Sequence, residues 1–194
     1  DFVVGLRITG DEKDADSIEA SEVLQFCRML DGDAATLDYY NVIAGSSASL
    51  AGAIHIVPPM IVENAYVAPF AKAMKSVVSK PVFVAGRIVE PQDAENVLAS
   101  GSADFISLGR ALYADPHWCL KAFGQVAAPI RQCIACNVCH DRLSSEKDVT
   151  CVQNPMMGTE FESLAHAEPQ LDPAHRDKPQ RRRVLILGAG VSGA

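Results

Sequence analysis

Residues 81–115 read PVFVAGRIVEPQDAENVLASGSADFISLGRALYAD, and this stretch decides the fold. Val82 to Ala85 and Phe105 to Leu108 are short runs of β-type apolar residues, and each leads into a Gly-Arg pair, Gly86-Arg87 and Gly109-Arg110. Between them Ala94, Val97 and Leu98 recur at the three- and four-residue spacing of one helical face. Pro91 stands where that helix starts, a place where the missing N–H costs little because first-turn donors have no acceptor within the helix. Strand, helix and strand in direct succession, with strands too apolar to have a wet face, predict parallel strands covered on both sides.

The same alternation extends towards the N-terminus. Val3 to Ile8 and Asp38 to Ile43 read as strands, and the sets Val23/Phe26/Cys27/Leu30 and Phe70/Ala73/Met74/Val77 as buried helical faces. Tyr39 and Tyr40 read as strand packing. Asp16 with Glu19 resembles a capping box, and Asp115 before Pro116 an N-cap for a last helix. Residues 2 to 108 are expected to form four strands joined by three helices, as an open doubly wound sheet or as a barrel. Periodicity is compatible with both. The connection from Ala44 to about Ala65 is rich in Gly, Ala and Ser and far longer than the usual loop of about 2–6 residues. Barrels build active sites in the loops after their strands. His55, in this loop, is thus a candidate to donate to a substrate anion or take a proton, the alternative being a capping or exposed histidine.

Composition removes several classes. A net charge of -7 argues against a nucleic-acid surface, and the one basic run, Arg181 to Arg183, reads as a solvated linker end. No apolar run approaches the roughly 18 residues of a membrane span. Six cysteines without a secretory context fit a reducing, cytoplasmic setting, where clustered thiols bind metal more often than they pair. Asp1 opens directly on a strand-like run, which leaves an upstream targeting segment open.

Four of those cysteines, Cys133, Cys136, Cys139 and Cys151, form the run C-x2-C-x2-C-x11-C. Four thiolates suit a [4Fe–4S] cluster or zinc, and three on one short loop with a distant fourth is the iron–sulfur habit. Zinc in a non-enzymatic binding module is the competing reading. Cys27 and Cys119 fall on helical segments and are expected in the core. Val184 to Leu187 reads as a buried strand turning into Gly188, Gly190 and Gly193, the context of a dinucleotide fingerprint; FAD, NAD(P) and bare ADP all fit it.

Two strand ends carrying Gly-Arg suit a phosphate, with glycine admitting close backbone approach and arginine a charge-assisted contact; ordinary strand-end turns are the alternative. Arg7 stands inside an apolar strand, and a buried guanidinium must find an anion. Asp11 or Asp14 would serve, as would the N1/C2 carbonyl edge of a reduced flavin.

Taken together, GLRITG, PVFVAGRIVEPQDAE, ADFISLGRALYADP, RQCIACNVCH, TCVQNP and VLILGAGVSG resemble the iron–sulfur flavoenzymes of the old yellow enzyme class, which include trimethylamine dehydrogenase and 2,4-dienoyl-CoA reductase. The resemblance covers essentially the whole chain. It implies the C-terminal half of an FMN-binding (β/α)8 barrel over residues 1–130, a cluster segment over 131–160, a linker over 161–183 and the start of a Rossmann-like FAD- or NAD(P)-binding domain over 184–194. It places Arg7 near the flavin, Gly86 and Arg87 at strand seven, Gly109 and Arg110 at a strand-eight phosphate site, and the four cysteines on the cluster. The implied activity is oxidation of a small N-methylated amine, with reduction of an activated C=C bond by NAD(P)H as the alternative. A homo-oligomeric parent enzyme and an electron-transfer protein partner are further expectations. Ala135 replaces the family's usual glycine between the first two cysteines, which matters if the position requires a positive φ. Leu143 stands where trimethylamine dehydrogenase has a tryptophan, which argues against trimethylamine itself.

Overall fold

The computed structural model describes residues 2–32 and 37–161. Strands β1 (Gly5–Thr9), β2 (Tyr39–Ile43), β3 (Val82–Val84) and β4 (Phe105–Ile106) form one sheet in the order β1-β2-β3-β4, and every pair is parallel. A doubly wound sheet reverses strand order at a switch point, whereas a barrel adds strands in sequence order. The observed order is that of a barrel. The strands start and stop within a few residues of expectation, β1 beginning later than Val3 and β4 ending before Leu108.

Side chains alternate across the sheet with the two-residue period of a strand. Tyr40 and Val42 on β2 and Val82 and Val84 on β3 are buried beneath the helices, while Tyr39, Asn41, Phe83 and Phe105 occupy the opposite face. There Tyr39 lies 4.9 Å from Phe83, and Phe83 stacks on Phe105 with ring centroids 4.5 Å apart. The covering helices are α1 (Ala20–Gly32), α3 (Ala68–Lys75) and α4 (Pro91–Ala99), which bury Val23 and Cys27, Ala71 and Met74, and Val97 respectively. Fully burying a side chain such as Met74 contributes about 1.5–3 kcal/mol. Phe26 and Leu98, expected on buried faces, are exposed.

Helix starts follow local chemistry. Pro91 opens α4, and Asp93 Oδ2 accepts from the N–H groups of Val89 and Glu90, satisfying donors the helix cannot. At α1 the cap lies three residues later than expected, because Glu22 reaches back to the N–H of Glu19 at 2.9 Å and Asp16 stays outside the helix. The long connection after β2 holds a helix of its own, α2 (Leu50–Ile56), capped by the Ser49 hydroxyl. After β4 come α5 (Arg110–Ala114), α6 (Trp118–Ala122) and α7 (Val138–Ser144). Asp115, expected as an N-cap, instead ends α5, and α6 is capped by His117, whose N–H donates to the Asp115 carboxylate because Pro116 sets the helix start two residues later; buried Trp118 donates its indole N–H to Val89 O at 2.8 Å. Cys119, expected in the core, is exposed, since the buried face of this short helix is Trp118's.

The chain divides into two units, Asp1–Gly158 and Thr159–Ala194. The linker from 162 and the fingerprint glycines Gly188, Gly190 and Gly193 lie outside the described residues. Among the described residues no helix is long and apolar enough to cross a membrane.

Candidate functional site

A cavity of about 240 Å³ opens beyond the C-terminal ends of β3 and β4. Arg7, Arg87 and Arg110 all line it, with Gly86, Gly109, Ser107 and the wall Cys133 and Ala135, and no acidic residue does. Three guanidinium groups around one carboxylate-free space suit an anion. Burial, and then the neighbouring Arg110, hold Arg87 below the ordinary arginine range, opposed by Cys133 and Asp93. Arginine keeps its charge regardless. That mutual repulsion is what a bound anion relieves.

Both Gly-Arg pairs thus arrive at one place, but their glycines do different work. A Cβ on Gly86 would lie 2.1 Å from Val67 Cγ2, so this glycine lets the strand end pack against the start of α3. A Cβ on Gly109 would meet nothing within 4 Å, so this glycine leaves open space at the cavity rim. Arg87 adopts φ 51° and is anchored by Asn64 Oδ1, at 2.9 Å from its Nε, and by Pro59 O. Asn64 is fixed in turn by donating to Asp93 Oδ2 at 2.9 Å. Arg110 donates to the Asn137 side-chain oxygen, and Asn137 Nδ2 donates to Val57 O at 2.8 Å.

Arg7 departs from expectation. Its strand is the edge of the sheet, so the side chain is exposed rather than buried, and it makes no ion pair with Asp11 or Asp14 among the described residues. It does line the anion cavity. His55 lies on α2 and does not line that cavity, although the following Ile56, Val57 and Pro58 do. Its ring centroid is 6.1 Å from that of Tyr66, its Nδ1 is buried with no hydrogen-bond partner, and its carbonyl accepts from the Tyr66 hydroxyl. Burial pushes Tyr66 up to about 12 against the pull of Arg110, which keeps that hydroxyl a donor.

The four cysteines line a second, small cavity together with Arg110, Tyr113, Ile134, Asn137, Val152 and Gln153. Burial raises the Cys139 thiol, and Cys133 and Cys136 raise it further, against the N–H of His140 and the charge of Arg110. The three thiols of the loop are therefore near enough to feel one another. Between them Ala135 and Asn137 adopt φ 52° and 59°, and Ala135 is 2% exposed. The position held by Ala135 does take the left-handed backbone that favours glycine. On the far side, buried Asn154 donates to Tyr113 O at 2.9 Å and accepts from Arg131, tying the segment of Cys151 to the rest. Asp115 completes the support, accepting from Arg131 N at 2.9 Å and Lys121 Nζ at 2.6 Å. None of Asn64, Asn137, Asn154 or Asp115 was legible as a site residue, because an amide or acid in a loop gives no pattern until its partners are placed.

Consecutive parallel βα units, with strands added in sequence order, define part of a (β/α)8 barrel. Residues 1–128 match the NADH:flavin oxidoreductase / NADH oxidase family, and the chain belongs to that family. The resemblance read from its sequence is borne out at that level. The chain is 32% identical over 193 residues to the N,N-dimethylglycine/sarcosine dehydrogenase of Chromohalobacter salexigens, a match over 100% of this chain and 27% of that protein. It is 35% identical over 138 residues to the cinnamate reductase of Clostridium sporogenes, covering 70% of this chain and 19% of that protein. Among solved structures, histamine dehydrogenase from Rhizobium sp. 4-9 superimposes with a TM-score of 0.69 at 25% identity, over 81% of this chain and 22% of that one. The chain thus spans about a quarter of the length of such relatives.

Proposed function

We propose that this chain carries the phosphate-binding half of an FMN barrel and the ligands of a [4Fe–4S] cluster, within an enzyme that oxidatively demethylates a small N-methylated amine. The observation that carries this reading is adjacency: Arg110 and Cys133 line both the anion cavity and the cysteine cavity. When bound, FMN supplies a two-electron acceptor and the cluster a one-electron relay onward to a nucleotide or an electron-carrier protein.

The donor set fits both groups. Arg87 and Arg110, with the open rim at Gly109, suit a phosphate dianion, and Arg7 suits the electron-rich edge of a flavin ring. The four cysteines line one small cavity, three from a single short loop and the fourth from a separate segment, a donor set that suits a cluster.

Amine oxidation is favoured by the match, over the whole of this chain, to an N,N-dimethylglycine/sarcosine dehydrogenase and by the two-residue cysteine spacing. The match to a cinnamate reductase supports C=C reduction as the second reading. Anaerobic mixing of the full-length protein with dimethylglycine or N-methylproline, without NAD(P)H, tests the choice. Bleaching of flavin absorption by the amine supports demethylation. Bleaching by NAD(P)H alone, with recovery on adding cinnamate, replaces it with the reductase.

A further inference from the structure

The cysteine loop is also a wall of the anion cavity, and one side chain holds the two together. Asn137 stands between Cys136 and Cys139 with φ 59°, a backbone region that asparagine tolerates better than most residues. Its amide spends both ends across the boundary. The oxygen accepts from Arg110, which lines both cavities, and the nitrogen donates 2.8 Å to Val57 O on the loop that bounds the anion cavity. Arg110 has no carboxylate partner among the described residues, so this amide is what orients its guanidinium. Cys133 and Ala135 of the same loop face the anion cavity directly.

We propose that Asn137 is a positioning residue that couples the two sites, so that filling the cysteine cage tightens the arginine cavity around its anion and the reverse. The inference rests on the FMN and cluster reading given above and adds to it a linkage between them. Without a cluster the loop, with two residues in left-handed backbone, would rest on its hydrogen bonds and on the packing of Ala135. Ordering it around a cluster fixes Asn137, Asn137 fixes Arg110, and a preoriented Arg110 binds phosphate without first losing side-chain freedom. Coupling free energies are reciprocal, so bound FMN must retain the cluster by the same factor.

The test uses full-length protein, measuring FMN affinity by quenching of free FMN fluorescence, with the cluster intact and after its removal by chelator. Wild type is expected to bind FMN about five-fold or more tightly when the cluster is present, and to lose iron to chelator more slowly when FMN is bound. Asn137→Gly keeps the backbone conformation and deletes both hydrogen bonds; its coupling factor is expected to fall towards one while iron and FMN still bind. Asn137→Asp keeps the acceptor for Arg110 and is expected to retain part of the coupling, a rescue that general loosening of the loop would not produce. Equal coupling in wild type and Asn137→Gly, or none in wild type, overturns the proposal while leaving both cofactor sites standing. A wild-type protein that binds neither FMN nor iron and sulfide overturns the underlying reading as well.

Discussion

Gly86 and Gly109 occupy equivalent places in successive βα units, yet substitution should separate them. Gly86→Ala drives a methyl to within 2.1 Å of Val67 Cγ2, and overpacking of this kind costs about 1–3 kcal/mol. The expected result is a lower urea midpoint. Gly109→Ala meets no atom and should leave that midpoint within about 0.5 kcal/mol of wild type, while the added methyl at the cavity rim weakens FMN binding. The two helical cysteines divide in the same way. Burial, with Asp31 nearby, pushes the Cys27 thiol up to about 11, so at pH 8 it stays protonated and shielded, whereas Cys119 is exposed. A thiol reagent should modify Cys119 in the native protein and Cys27 only on unfolding. The sequence placed both in the core because helical spacing reports which side chains share a face and not how much of a five-residue helix is covered. Ala135 shows the opposite limit. Its departure from glycine was visible, but the positive φ that gives it meaning belongs to the folded loop.

At the scale of elements, the joint between α5, α6 and the cysteine loop depends on Asp115. Burial would raise its carboxyl, but the Lys121 ammonium and the N–H groups of Arg131 and His117 outweigh burial and hold it below the ordinary carboxylate range. A depressed folded-state value contributes stability that is fully present above the unfolded value of about 3.9 and is lost as pH falls through the folded one. Acid titration of stability should therefore show a slope below about pH 4 that Asp115→Asn reduces. Asp115→Ala leaves Lys121, whose side chain is 9% exposed, without its carboxylate and with only Pro129 O to accept from it, at a cost of about 3–5 kcal/mol. It should also loosen the segment leading to Cys133, read as iron lost to chelator. Elements with a strong local cause were legible: α4 through Pro91, and the strands through their apolar runs. Helix α2 was not, since Gly, Ala and Ser over residues 44–53 read as loop and only the Ser49 cap and packing against Gly45 make it helical. The start of α1 slipped three residues because Asp16 to Glu19 and Glu19 to Glu22 share the three-residue spacing of a capping box.

At the scale of the whole molecule, parallel strands in sequence order expose the face that carries Tyr39, Phe83 and Phe105, the last of them 50% exposed. Expressed alone, the 194 residues should self-associate and bind an apolar dye, as unpaired strand edges and an open aromatic face demand; sedimentation would show it, and a cooperatively folding monomer would contradict the half-barrel account. Which sheet type the chain forms was not legible from periodicity, because strand order is a long-range property, whereas the four cysteines and the two Gly-Arg pairs were legible from spacing alone. What spacing could not show is that the two sets meet at Arg110 and Cys133. Whether flavin and cluster both bind there is read from an anaerobic absorption spectrum, with iron, sulfide, zinc and flavin contents, of the full-length protein and of Cys136→Ser. The account predicts flavin peaks over a broad iron–sulfur shoulder in wild type, with the shoulder lost in the variant. Zinc in the cysteine site, with no flavin bound, would contradict it.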